Sequence, residues 1–118
     1  MRDGGSVGTV GLTRLFTEAL NARDVEALLG LVTDDVEFPT PQGRSLRGAD
    51  GVAQIVRAVT DADLFLARVA KENTEEDSGI IRVTVSVREI VRKSGLDGTA
   101  DFRIRDGGVA SFEVITDS

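Results

Sequence analysis

Cysteine, histidine, tyrosine and tryptophan are all absent from this chain of 118 residues. Lacking cysteine, it has no disulfides, thiolate metal sites or thiol nucleophiles. Lacking histidine, it is without the commonest general base, the commonest metal ligand and every triad built on imidazole. With no tyrosine, there is no phenol to donate a hydrogen bond. The five phenylalanines are the only aromatics, and Asp, Glu, Arg and Lys are left as catalysts. No apolar run is long enough to span a bilayer. Cations are outnumbered, with 14 Lys and Arg against 20 Asp and Glu, for a formal net charge of −6. That surplus argues against a nucleic-acid or anionic-membrane partner, either of which needs clustered cations, and suits solubility instead.

What is present is a chain with 41% hydrophobic residues, enough for one domain with one core. Residues 1–8, glycine-rich and without an apolar run, read as a flexible arm rather than a signal peptide, leaving 9–118 as a single domain and the cytoplasm as its expected location. From Leu12 onward the apolar residues Leu12, Leu15, Phe16, Ala19 and Leu20 recur at helical spacing, and Val25, Leu28, Leu29 and Val32 resume it. The pattern predicts one helix over Thr9 to Ala22 and a second over Asp24 to Val32. Asp24 is its N-cap and Glu26 lies in its first turn. Thr33-Asp34-Asp35 should stop the second helix, and Val36-Glu37-Phe38 alternates as a short strand. A loop with Pro39 and Pro41 then leads into a third helix, with Val52, Ile55, Val56 and Val59 on one stripe.

Beyond Asp63 the period changes to two, predicting strands over Leu64 to Asn73, Ile80 to Val91, Thr99 to Arg105 and Val109 to Thr116. The segments Glu76-Asp77-Ser78-Gly79, Ser94-Gly95 with Asp97-Gly98, and Asp106-Gly107-Gly108 read as the turns of an antiparallel meander. Helices first and strands last make an α+β protein. Alternation sets Ile81, Val83, Val85 and Val87, with Ala100, Phe102, Ile104, Phe112 and Val114, on an apolar face. Arg82, Arg88, Asp101, Arg103, Arg105 and Glu113 fall on the other. The apolar face either fills a core or lines an open pocket. The charged face pairs across strands, pairs across a two-fold interface, or is simply solvated. Asp34, Asp35 and Glu37 suit a helix stop and a solvated strand better than a metal site. Arg44 and Arg47 either grip a ligand carboxylate or phosphate at a pocket mouth or are plain surface arginines. Gly5, Gly8 and Gly11 lack the dinucleotide fingerprint.

Phe16-x-x-Ala19-Leu20-Asn21-Ala22-x-Asp24, Leu28-Leu29, Asp34-Asp35-Val36-Glu37-Phe38, the loop Pro41 to Gly43, and Leu46-Arg47-Gly48 together resemble the opening of the NTF2-like superfamily, and within it SnoaL-like and ketosteroid isomerase-like proteins. The resemblance implies an NTF2-like cone, with about three N-terminal helices packed in a curved, mainly antiparallel sheet around an apolar pocket. It also implies a homodimer through the outer sheet face. The expected pocket lining is Phe16, Leu20, Phe38, Thr40, Val85, Ala100, Phe102, Phe112 and Val114. The isomerase machinery of an Asp base with a Tyr and a protonated Asp is not matched. Phe16 stands at the tyrosine position, Thr40 at the base, and Ala100 or its neighbour Asp101 at the second acid. The carboxylate–histidine pair of the SnoaL cyclases and the Asp-Arg-Asp set of the fold's epoxide hydrolases are not visible either. The expectation is a domain binding a small, largely apolar metabolite, of polyketide cyclase or isomerase type, with no cofactor and no metal. Thr40, Asp101 and Arg47 are its candidates for polar assistance. The alternative is a non-catalytic homodimerising association domain.

Overall fold

The computed structural model describes residues 8–40, 43–91 and 94–116. The expected arm at 1–8 lies outside them except for Gly8, which opens the first helix. Among the described residues the order is α1 (Gly8–Asn21), α2 (Val25–Leu29), β1 (Val32–Pro39), β2 (Ser45–Arg47), α3 (Gly48–Asp61), β3 (Leu64–Asp77), β4 (Ile80–Val91), β5 (Ser94–Arg105) and β6 (Gly108–Thr116). The strands form one curved, unclosed sheet in the order β2-β1-β6-β5-β4-β3. From β3 to β6 it is the antiparallel meander expected; β1 runs parallel to β6 and antiparallel to β2. The helices lie against its concave face. No described helix is long and apolar enough to cross a membrane.

Strand parity follows the alternation in the sequence. Phe102 stands opposite Phe112, Ala100 opposite Val114 and Val83 opposite Phe102, all turned to the helices, while Asp101 faces Glu113 and Arg82 faces Arg103 on the outer side. Phe16 drops from α1 onto this inner face, edge-on to Phe102 at 5.6 Å and tilted against Phe112 at 4.7 Å. Leu12, Ala19, Leu20, Leu28, Val52 and Val56 complete the helical side of the core. Leu15 and Leu29, counted in the helical stripes, are instead 46% and 40% exposed. Gly51 lets α3 sit against the sheet, because a Cβ there would lie 2.9 Å from the Leu46 backbone and 3.3 Å from the Phe38 ring.

Several boundaries differ from the sequence reading. The second helix ends at Leu29, capped by Asp24 as expected. Leu31 accepts a hydrogen bond from the Val109 N–H at 2.9 Å and Val32 pairs with Val109, so sheet bonding claims this segment before another helical turn can form. Thr33-Asp34-Asp35 is accordingly part of β1, not a helix stop. The segment before α3 contributes the short strand β2, with Leu46 paired to Phe38. In the β3–β4 hairpin the strand extends through Asp77 and only Ser78-Gly79 turns, both at positive φ (53° and 83°), as does Asp106-Gly107 (53° and 78°). These are the dihedral signs of two-residue type I′ turns, whose twist matches the flanking strands. Ser94-Gly95 and Asp97-Gly98 are strand rather than turn. The bare Gly95 leaves room for the Arg88 stem to lie across it and reach Asp97 at 3.0 Å.

Two side chains at the C-terminal end of α1 tie the helices to the edge strand β3. The Asn21 amide donates to the Leu66 carbonyl and accepts from the Leu66 N–H, both at 2.9 Å, taking the place of a neighbouring strand at an edge that would otherwise leave these groups unpaired. Arg23, in the left-handed region at φ 60°, donates to the carbonyls of Leu20 (3.3 Å) and Val59 (3.2 Å), so one cation serves the C-terminal ends of α1 and α3. Its guanidinium also covers the Phe65 ring at 4.4 Å. Asn21→Ala should cost about 2 kcal/mol, since it strands two part-buried backbone groups. Urea unfolding is expected to show a lower midpoint at unchanged slope, with Asn21→Asp in between. An alanine variant as stable as the parent would show the clamp to be incidental.

Candidate functional site

The C-terminal half of α3 does not close onto the sheet. Val52 and Val56 are buried, but Ile55 and Val59 remain half-buried and Ala58 is too short to reach across. The gap between α3, the ends of α1 and β1, and the inner faces of β3, β4 and β6 is a cleft of about 310 Å³. Leu64 and Leu66 form one wall and Ile55, Ala58 and Val59 the other. Leu20, Phe38, Phe112 and Val114 lie deeper, and Thr40 and Leu46 stand on the β1–β2 side. The size and apolar character are those of a small-molecule site.

Of the nine residues expected in the lining, Leu20, Phe38, Thr40, Phe112 and Val114 border this cleft. Phe16, Val85, Ala100 and Phe102 lie in the packed interior beside it, each at most 1% exposed. The three rings of Phe16, Phe102 and Phe112 fill that region, with Phe102 and Phe112 4.9 Å apart. Thr40 borders the cleft, but its hydroxyl donates to the Arg44 carbonyl at 2.6 Å, and its own N–H donates to the same oxygen at 2.9 Å. The hydroxyl proton is thereby committed to closing the loop.

The three candidates for polar assistance are scattered. Arg47 is exposed and makes a cross-strand ion pair with Glu37 at 3.7 Å, away from the cleft. Arg44 is exposed as well. Asp101 is on the opposite side of the sheet, 7% exposed, receiving Arg82 Nε at 3.2 Å and a second guanidinium nitrogen at 2.9 Å. This two-pronged contact raises the Arg82 pKa, through the hydrogen bond first and the charge of Asp101 second. The same face holds a polar groove of about 310 Å³ lined by Glu37, Asp101, Arg103, Arg105, Ser111 and Glu113, with both signs of charge. Among the described residues no group of three or more acidic side chains could hold a metal.

Glu89 is the side chain that sequence reasoning overlooked. The inward series Val83, Val85, Val87 continues two residues further to Glu89, opposite the buried Leu66, and Glu89 borders the cleft. It has an interaction of its own within the chain. Carrying the alternation past the last valine would have found it. Arg68, two residues beyond Leu66 on β3, donates to the buried Thr13 hydroxyl at 3.3 Å.

On β1, Asp35 accepts from the Thr33 hydroxyl at 2.8 Å and from Arg105. The Thr33 bond is the largest influence and, together with the hydrogen bond and charge of Arg105, outweighs the opposing desolvation, holding the carboxyl below its ordinary 3.8. A depressed carboxyl stabilises the fold above the unfolded value, and the contribution disappears as pH falls through the folded one. Titration followed by NMR should place the Asp35 midpoint below 3.8, and Thr33→Val should move it upward. A midpoint at or above that value would contradict the assignment.

The model of the SnoaL-like domain family matches residues 12–112. No curated protein matches the chain. Among solved structures, an NTF2-like protein from Burkholderia pseudomallei superposes with a TM-score of 0.68 at 24% identity, over 92% of this chain and 89% of its own. TerC, co-crystallized with polyporic acid, gives 0.69 at 20% identity, over 92% and 90%. A polyketide cyclase candidate from Sinorhizobium meliloti gives 0.66 at 20%, over 88% and 93%. At such identities these similarities concern the fold.

Proposed function

The chain belongs to the SnoaL-like domain family and has the NTF2-like fold, and from that premise we propose that it binds a small, largely apolar molecule in the cleft between α3 and the sheet. The observation carrying this reading is the cleft itself: about 310 Å³, bordered by Leu20, Phe38, Ile55, Val59, Leu64 and Phe112. Rings or alkyl chains entering it would exchange water for apolar contact, the usual driving force for such sites. TerC, similar in fold, was crystallised with polyporic acid, which supports a ring-bearing ligand. The steroid isomerase chemistry of the fold is not part of the proposal. Phe16 is fully buried and brings no polar atom, the Thr40 hydroxyl is bonded to Arg44, Ala100 is apolar, and Asp101 is held by Arg82 on the far side of the sheet.

The neutral dye N-phenyl-1-naphthylamine should give a saturable fluorescence rise with the parent protein, undisturbed by tryptophan or tyrosine, both absent. Ala58→Phe, at an exposed cleft position, should weaken it roughly tenfold by occupying the space. No saturable signal, or one that Ala58→Phe leaves unchanged, would refute the reading.

A second reading, association through the outer sheet face, is favoured by Ile80 and Ile115. They remain 40% and 50% exposed on that face, which also carries the Arg82–Asp101 pair. Sedimentation velocity at micromolar concentration should then reveal a dimer that Ile115→Lys dissociates; a parent monomer under those conditions would exclude it.

A further inference from the structure

Arg23 makes contact behind three sides of the cleft without lining it. Its guanidinium donates to the carbonyls of Leu20 at 3.3 Å and Val59 at 3.2 Å, both lining residues, and covers the ring of Phe65 at 4.4 Å, between the lining residues Leu64 and Leu66. The Val59 carbonyl needs that donor. The Asp63 N–H, which would reach it if α3 went on, donates instead to Thr60 at 3.1 Å, and the Ala62 N–H goes to Ala58 at 3.0 Å. The backbone of Arg23 is held at φ 60°, a region that glycine takes at the end of a helix without strain and arginine does not. Its own N–H donates to the Leu20 carbonyl at 3.1 Å, so glycine would make the same turn, and what glycine lacks is the side chain that reaches α3.

We infer that Arg23 is a positioning residue for ligand binding: it sets the distance between α3 and β3 and, through it, the widest ring system the cleft admits. This rests on the cleft being the binding site and specifies what fixes its width. The walls are apolar, with Ile55 and Val59 on one side and Leu64 and Leu66 on the other. In water such walls gain by closing on each other, as the first half of α3 has done through Val52 and Val56. A planar guanidinium fixed at once to the Val59 carbonyl and the Phe65 ring resists that closure, because its rigid fork keeps both contacts in one geometry. Lysine offers the charge with a single flexible point of attachment, and holds the gap less firmly.

Two neutral probes read the width: N-phenyl-1-naphthylamine and its narrower core 1-naphthylamine, followed by fluorescence anisotropy. Arg23→Gly removes the side chain and relieves the backbone, and circular dichroism verifies that the variant is folded. It should bind N-phenyl-1-naphthylamine about tenfold more weakly than the parent and 1-naphthylamine within about threefold of it, with Arg23→Lys in between. Equal weakening of both probes, or of neither, would leave Arg23 a tie of the fold alone and overturn the assignment while the cleft remains the site. Tighter binding of the wider probe by Arg23→Gly would mean that the guanidinium narrows the gap, and overturns it too. Should that variant fail to fold, Phe65→Ala, at a position 41% exposed, decides: a loss confined to the wider probe supports the spacing role, and an unchanged pair of affinities refutes it. If neither probe saturates on the parent, the cleft reading fails and this inference with it.

Discussion

Phe102 and Phe112 stand opposite one another on neighbouring strands, and Phe16 descends from α1 onto both. Everything else in the molecule is arranged around that contact. An offset of one residue between β5 and β6 would turn one ring outward and bring Asp101 or Glu113 toward the helices, because side chains alternate across a strand. The ring pair therefore locks the register. That register in turn assigns the Arg82–Asp101 pair to the outer surface, where its charges face water instead of the core. Large rings in tilted and edge-on contact leave little free volume and hold α1 at a defined height above the sheet.

The cleft is what remains when that height is combined with a helix too small to fill the space. Buried Val52 and Val56, with Gly51 against Leu46, bring the first half of α3 onto β1 and β2. The far end is held differently, by Arg23 bonded to the Val59 carbonyl, while Asn21 bonded to Leu66 ties the end of α1 to β3. These polar ties act at the backbone and require no apolar filling between α3 and β3. The chain can thus hold the two walls apart while its core stays densely packed. The cleft is accordingly greasy on most sides.

Much of this was legible beforehand, for identifiable reasons. The stripe Leu12, Phe16, Ala19, Leu20 and the alternation of β4 to β6 are periodic signals, and the periods of helix and strand differ enough to separate them. Asp106-Gly107 marks its turn because few residue pairs tolerate positive φ twice. The beginning of β1 was not legible, because Val32 to Asp35 becomes strand through pairing with Val109, more than seventy positions away in the chain. The first half of β5 was masked by glycines and aspartates that usually mean a turn, yet here accommodate the Arg88 side chain. Glu89 was overlooked because a charged residue at the end of an apolar series looks like the point where the strand leaves the core. Four of the nine residues expected in the lining lie in the packed interior for a related reason: parity tells which way a residue points and says nothing about whether space remains in front of it.

The sequence by itself determined the α+β class, the order of the three helices and the four strands of the meander, the family resemblance and the inner face of the apolar alternating runs, since these follow from local periodicity and from residue types within a few positions of one another. It also excluded chemistry that needs imidazole, thiol or phenol. Tertiary structure alone decided that α3 stands off the sheet, that Asn21 and Arg23 bridge the gap, that Asp101 is held by Arg82 away from the cleft, and that Glu89 borders it. Each of these depends on distances between segments far apart in the chain, which packing volumes and backbone hydrogen bonds set together and no local pattern encodes.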